Sequence, residues 1–203
     1  PVRKGILYVG SDDGVLKVSR DNGKTFVNIT NRLPNLPKIS YVSAIEASRH
    51  EENTVYVAFD NHRSNDYGNY LYRSTDAGST WTAVDGDLPS TRVIRVVRED
   101  PKTPRVLYLG TEFGAYMSPD RGAHWLELKA NMPRVAVYDI AVHPRDNDLV
   151  LATHGRGLWI LDNLTSLQQL TPDVAAKEAH LFPVEPARMN RYANTKAHAG
   201  DVV

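Results

Sequence analysis

Short apolar stretches rich in Val, Ile, Leu and Tyr alternate with polar turns along the first 163 residues. A stretch such as residues 54–59 has the length and β-branched content of a strand. The turns carry Asp-Gly pairs, as in residues 11–14, or prolines, which is typical of hairpins and connectors. The aligned residues in the second strand of each repeat are Tyr8, Tyr56, Tyr108 and Val150. Their spacings of 48, 52 and 42 residues predict the four-stranded blades of a β-propeller.

The repeat divides the chain into about four blades, so we predict an all-β fold that forms a partial ring. The blades are predicted at 1–31 (incomplete, without its opening strand), 39–85, 92–129 and 135–163. Residues 164–203 form an irregular extension with one or two short helical turns, an outer strand for the last blade at 179–184, and a polar tail. An open arc leaves blade faces bare, because each repeat is covered only by its neighbours. We therefore expect further blades or self-association to cover its ends.

One eight-residue pattern, Ser-x-Asp-x-Gly-x-[Thr/His]-[Trp/Phe], occurs three times between predicted third and fourth strands. The first copy contains Ser19, Asp21, Gly23 and Phe26, the second Ser74, Asp76, Gly78 and Trp81, and the third Ser118, Asp120, Gly122 and Trp125. The aspartate can bind backbone amides ahead of it and close a turn. The glycine adopts a positive φ without steric cost, and the aromatic residue buries a large apolar area. The pattern therefore predicts a hairpin corner with an aromatic anchor.

This pattern resembles the Asp box of the BNR-repeat proteins, a superfamily that includes sialidases, xyloglucan-cleaving glycosidases and sortilin (VPS10) ectodomains. The resemblance implies a β-propeller in which the Asp boxes are structural corners away from the ligand site. The Thr-His-Gly-Arg-Gly stretch at 153–157 is similar to the last-blade signature of sortilin-like, glycosyl hydrolase-like bacterial proteins. The same resemblance favours a secreted or periplasmic location.

Strand parity separates the turns into two groups. The Asp boxes lie at one end of the blades, whereas four other turns meet at the opposite end together with the blade connectors. These four turns are residues 11–14, 60–69, 110–114 and 154–156. We call this the loop-rich end. Loops on a rigid scaffold are where ligands commonly bind, so the ligand site is expected there.

The loop-rich end carries carboxylates and basic side chains. A glycosidase needs two carboxylates beside the glycosidic bond, and the candidates are Asp12 or Asp60 with Glu112. The alternative, which we favour, is that these residues serve turns and a solvated rim, since turns commonly contain Asp. The basic candidates for contact with a ligand are His62, Arg63, His154 and Arg156, because arginine pairs well with carboxylates. Arg156 could instead pair with an acidic residue of a neighbouring blade.

Composition narrows the function classes. The chain has 24 Lys and Arg residues and 24 Asp and Glu residues, so no basic surplus favours nucleic acid. It contains no cysteine and no apolar run long enough for a transmembrane helix. No histidine pair has metal-site spacing, and no cofactor motif is present, so neither a metal nor a cofactor is expected.

Three functions remain open. The first is a non-catalytic scaffold that binds a peptide or glycan at the loop-rich end, as the sortilin-like resemblance implies. The second is part of a glycoside hydrolase of the xyloglucanase or sialidase type. The third is an assembly or stability factor that docks a protein partner.

Overall fold

A computed structural model of the chain describes residue 2, residues 4–129 and residues 131–183. Among these described residues, fourteen strands form four antiparallel sheets in which successive strands are neighbours. Blade I contains β1 (Leu7–Gly10), β2 (Leu16–Ser19) and β3 (Val27–Asn28), and blade II contains β4 (Tyr41–Ala47), β5 (Val55–Asp60), β6 (Tyr70–Ser74) and β7 (Thr82–Ala83). Blade III contains β8 (Ile94–Glu99), β9 (Leu107–Thr111), β10 (Gly114–Ser118) and β11 (Leu126–Glu127), and blade IV contains β12 (Val137–Val142), β13 (Leu149–Thr153) and β14 (Leu158–Leu161). The predicted all-β partial ring of propeller blades is therefore confirmed.

The apolar core lies between the blades, because alternate side chains of a strand point to opposite faces of its sheet. In β5, Val57 packs toward blade I, whereas Tyr56 packs toward blade III. All six residues of β5 are buried, as expected for a sheet that is covered on both faces. Three separate clusters result, one at each of the I–II, II–III and III–IV interfaces. Blade-to-blade packing thus holds the arc together.

The Asp boxes form the corners between β2 and β3, β6 and β7, and β10 and β11. In the second box, Asp76 accepts hydrogen bonds from the Ser74 hydroxyl at 2.8 Å and from the Thr80 amide at 2.8 Å. Gly78 has φ +83°, and a Cβ added there would lie 2.6 Å from Ile29 of blade I. The glycine therefore permits both the turn and its close contact with the preceding blade.

The Asp-box aromatic residue also packs toward the preceding blade. Trp81 belongs to the I–II cluster and Trp125 to the II–III cluster, and they are 8% and 6% exposed. Phe26 occupies the same position in blade I, before which the described residues contain no blade, and it is 43% exposed. The corner aromatic residue of blade I therefore lies on a face that no described blade covers.

Blade IV has three strands among the described residues, and residues 164–183 of the C-terminal extension add no fourth strand to it. Residues 179–183 form no strand, and residue 184 and the predicted polar tail lie outside the described residues. After β14 the chain instead enters two short helices, α1 (Thr165–Gln169) and α2 (Pro172–Ala175). α1 packs against the III–IV interface, where its Leu167 joins the core cluster.

Buried polar contacts hold α1 in place. Gln168 donates to the Asp100 carboxylate at 2.8 Å and to the Asn147 side-chain oxygen at 2.8 Å. The Arg105 guanidinium donates to the carbonyl oxygens of Gln168 and Leu170, at 2.6 and 2.7 Å. Because buried polar groups must be paired, these bonds fix the helix to both blades. No helix among the described residues is both long and apolar enough to span a membrane.

Candidate functional site

The innermost strands of blades II, III and IV share one irregularity. The pairing register shifts between Val42 and Ala44 in β4, between Ile94 and Val96 in β8, and between Val137 and Asp139 in β12. A β-bulge of this kind leaves one residue unpaired and redirects its side chain. The three unpaired residues are Ser43, Arg95 and Tyr138. Three consecutive blades thus each contribute one redirected side chain at the same level of the arc.

These three side chains line a single cleft of about 560 Å³ at the loop-rich end. The remaining lining residues come from blades I and II and from the connector between them, and they are Asp12, Ile39, Tyr41, Asp60, Asn61, His62, Arg63 and Ser64. The lining contains aromatic, acidic and basic side chains. Such a mixture of apolar surface and convergent polar groups is typical of ligand sites.

Asp60 is the charged centre of the cleft. Its side chain is 2% exposed and forms an ion pair with Arg95. One Asp60 carboxylate oxygen also accepts hydrogen bonds from the backbone amide of His62 at 2.9 Å and from the Nδ1 of its ring at 2.6 Å. A buried carboxylate requires such partners, because an unpaired buried charge is costly.

Arg95 joins Asp60 to Glu112. Its Nε and one terminal nitrogen donate to the same Glu112 carboxylate oxygen, at 3.0 and 2.7 Å. Burial acts to lower the pKa of Arg95, but the hydrogen bond to Glu112 and the charges of Asp60 and Glu112 outweigh it and raise that pKa. The guanidinium is therefore permanently charged and occupied by two carboxylates of the protein.

Aromatic rings extend the site on both sides. The Arg95 guanidinium lies 5.2 Å from the centre of the Tyr138 ring, which in turn stacks on His154 at 5.2 Å. The Arg63 guanidinium lies 5.8 Å from the centre of the Tyr41 ring. Cations over aromatic faces attract the ring quadrupole. Tyr41 and Tyr138 thus place two flat apolar surfaces beside charged groups.

The structure brings together some of the residues that the sequence analysis proposed. Asp12, Asp60, His62 and Arg63 line the cleft. Glu112 and His154 adjoin it through Arg95 and Tyr138, respectively. Arg156 is exposed in the β13–β14 hairpin and is not among the lining residues. In the described part of the chain, no three His, Asp or Glu side chains are grouped to hold a metal ion.

The sequence analysis missed Tyr41, Ser43, Arg95 and Tyr138 because they lie within predicted strands, whereas it looked for ligand contacts in the turns. A signal was present in the spacing of the buried residues. Val42 and Ile45, Ile94 and Val97, and Val137 and Ile140 each pack toward the preceding blade. A regular strand would place such residues two apart, so a spacing of three indicates a bulge between them.

The chain was compared with known families and structures. A family model described as Sortilin-Vps10 (sortilin, neurotensin receptor 3) matches residues 69–175, just over half of the chain. No curated protein matches the sequence.

Solved propeller structures resemble the chain in fold. A GH74 xyloglucanase from Xanthomonas campestris superimposes with a TM-score of 0.65 and 18% identity, over 80% of this chain and 28% of that one. YCF48 bound to D1 peptide gives a TM-score of 0.57 and 15% identity, over 79% of this chain and 49% of that one. The chain therefore spans less than half the length of either protein.

Proposed function

The chain belongs to the Sortilin-Vps10 family, and from this premise we propose that it is a non-catalytic recognition scaffold that binds a peptide or glycan in the cleft at its loop-rich end. The scaffold is the propeller arc itself. Binding is assigned to the cleft because three blades direct side chains into it by the same bulge. Bulges are common beside functional sites, where they redirect a side chain.

The observation that carries the proposal is the pairing of the Arg95 guanidinium with the carboxylates of both Asp60 and Glu112. The two carboxylates and the guanidinium satisfy one another, which makes the floor of the cleft a fixed polar platform. What remains for a ligand is the aromatic surface of Tyr41 and Tyr138 and the polar groups around it. A preorganised surface of this kind suits binding, because few side chains must be ordered when the ligand arrives.

The hydrolase hypothesis gains less support from this geometry. A glycosidase needs one carboxyl group that keeps a proton and a second that is ionised. In this structure Asp60 and Glu112 are both engaged by the same Arg95 guanidinium, so neither carboxylate stands free to serve as an acid or a base. The resemblance in fold to a xyloglucanase carries no catalytic residues over, since propellers host many functions. Glu112→Gln and Asp60→Asn in an assay of polysaccharide cleavage remain the test of this hypothesis.

The names of the structural neighbours are compatible with recognition of either ligand class. One is a xyloglucanase and another is bound to a peptide. The third hypothesis is a factor that docks a protein partner. Such a factor would use the bare blade faces rather than the cleft, so cleft variants distinguish it from the recognition scaffold.

The proposal is tested by ligand binding to cleft variants. We expect Tyr41→Ala and Arg63→Ala each to weaken binding of a xyloglucan oligosaccharide or of a selected octapeptide by roughly tenfold, since an aromatic or arginine anchor often contributes 1–2 kcal/mol. Arg156→Ala is the matched control, because this exposed arginine lies on the same end but outside the lining. Binding is measured by titration calorimetry, with the melting temperature recorded for each variant. Equal loss in all three variants, or loss in none, would contradict the assignment.

A further inference from the structure

The contact between Asp60 and His62 determines more than the shape of the cleft. The Nδ1 of His62 lies 2.6 and 2.8 Å from the two Asp60 carboxylate oxygens. An ionised carboxylate only accepts hydrogen bonds, so Nδ1 must be the donor. In a neutral imidazole the other nitrogen, Nε2, then carries a lone pair and no proton. The buried carboxylate thus determines which ring nitrogen donates a hydrogen bond and which one accepts.

The free nitrogen is available to a ligand. Nε2 makes no hydrogen bond within the described residues, the side chain of His62 is 37% exposed, and His62 lines the cleft. The hydrogen bond from Nδ1 to Asp60 orients the ring. The backbone amide of His62 donates to the same carboxylate and holds the two residues together. This arrangement is preorganised, and a bond made to Nε2 needs little further ordering of the protein.

The other groups of the cleft define what such a ligand must supply. Arg95, the buried cation, is occupied by Asp60 and Glu112, so it is not free to take an anionic ligand group. Asp12 adds an exposed carboxylate to the lining and makes no ion pair among the described residues. The cleft therefore offers hydrogen-bond acceptors, the donors of the exposed Arg63 guanidinium, and the flat rings of Tyr41 and Tyr138. A ligand that matches them carries several donors, at least one acceptor and a flat apolar face.

We propose that His62 is a hydrogen-bond acceptor of the binding site, positioned by Asp60, and that its ligand group is a hydroxyl of a neutral glycan. Sugar rings carry hydroxyl donors around an apolar face, which suits both kinds of surface in the cleft. The inference rests on the proposed function and narrows its ligand from a peptide or glycan to a glycan. No covalent bond is broken or formed. The hydroxyl donates a hydrogen bond to Nε2.

The protonation state of the ring is tested without any ligand. Nitrogen-15 NMR of the imidazole at pH 8.5 is expected to show a proton on Nδ1 and none on Nε2 of His62. In Asp60→Asn the side-chain amide can donate to Nδ1, so the proton is expected to move to Nε2, as happens when an Asp–His pair is altered in this way. A proton on Nε2 in the unaltered protein at that pH would overturn the inference, whatever the variant does.

The ligand class is tested by titration with a neutral xyloglucan oligosaccharide and with an octapeptide library. We expect His62→Ala to weaken oligosaccharide binding roughly three- to tenfold, the usual effect of one lost hydrogen bond, and His62→Gln to lose less because its carbonyl can accept. His143→Ala is the matched control, since His143 also faces an aspartate, Asp146 at 3.3 Å, but in a turn at the opposite end of the blades.

The outcomes separate the two proposals. Oligosaccharide binding that needs Tyr41 and Arg63 but is unchanged in His62→Ala would overturn the role of His62 and leave the proposed function intact. Binding of octapeptides alone would overturn the glycan assignment. Failure of every probe to respond to any cleft variant would overturn both.

Discussion

Asp21, Asp76 and Asp120 show how far one side chain can determine a local structure. Each accepts hydrogen bonds from the serine two residues before it and from the backbone amide four residues after it. The pKa of Asp21 falls to about 2 because the Thr25 hydroxyl and amide bind its carboxylate. Burial acts to raise the pKa of Asp76, but hydrogen bonds from Thr80 and Ser74 outweigh it and lower the pKa to about 2.

At this scale we predict that Asp76→Ala destabilises the protein by about 1–3 kcal/mol, because the amides and hydroxyls at the corner lose their acceptor. Asp162→Ala is the matched control. Asp162 occupies the corresponding place in blade IV, is exposed, and makes no side-chain hydrogen bond among the described residues. Urea unfolding at pH 7 measures both variants, and equal effects would contradict the role given to the corner.

Lowering the pH should remove the stabilisation that the Asp76 carboxylate contributes. Because the pKa of Asp76 is lower in the folded protein than the usual value of about 3.9, its stabilisation is complete above about pH 4 and is lost as the pH falls toward 2. The difference in stability between the unaltered protein and Asp76→Ala should therefore shrink over that range. A difference that stays constant down to pH 2 would argue against it.

Among the secondary-structure elements, the inner strands determine where the site lies. β4, β8 and β12 each carry a bulge. Beside the bulge of β8, a small residue allows β12 to approach closely. Gly110 of β9 pairs with Val96 just after the bulge of β8, and a Cβ added to Gly110 would lie 2.5 Å from the carbonyl oxygen of Val137 in β12. The glycine thus sets the distance between blades III and IV.

We predict that Gly110→Ala destabilises the protein by about 1–3 kcal/mol, the usual cost of overpacking, because the backbone of Val137 would have to move. Ala152→Val is the matched control: Ala152 holds the corresponding position in β13, but it is partly exposed on a face with no described blade beside it. Its effect should stay within about 0.5 kcal/mol. Thermal and urea unfolding of dilute samples measure both, and a tolerated Gly110→Ala would show that the blades can separate without cost.

At the scale of the whole molecule, the described residues leave two faces of the arc bare. Blade I exposes Leu7, Val9 and Phe26, whereas blade IV exposes Leu158 and Ile160. Leu158 and Ile160 are 70% and 62% exposed. At the interior interfaces the equivalent positions are covered by the adjacent blade. These faces are therefore of the kind that a blade covers, whether it comes from further chain or from a second copy.

We predict that the chain self-associates through these faces, with a mass that rises above 22.7 kDa as the concentration increases. Phe26→Ser and Ile160→Ser should each weaken association roughly tenfold, because burying one such side chain contributes about 1.5–3 kcal/mol. Tyr67→Ser is the control, since Tyr67 is also exposed but lies in the β5–β6 loop. Sedimentation measures the mass, and a strict monomer at high concentration would contradict this prediction.

The sequence by itself determined the local structure and the repeat. Strands, turns and Asp-box corners depend on contacts within a few residues, so alternation, glycine and aspartate were enough to predict the all-β propeller arc. The cleft required the tertiary structure, because Asp60, Arg95 and Tyr138 lie on three different blades and meet only when the inner strands converge. The C-terminal extension also depends on contacts between residues that are distant in sequence. Nothing near Gln168 in sequence indicates its buried partners Asp100 and Asn147, and residues 179–183 form no strand although their local pattern predicted one.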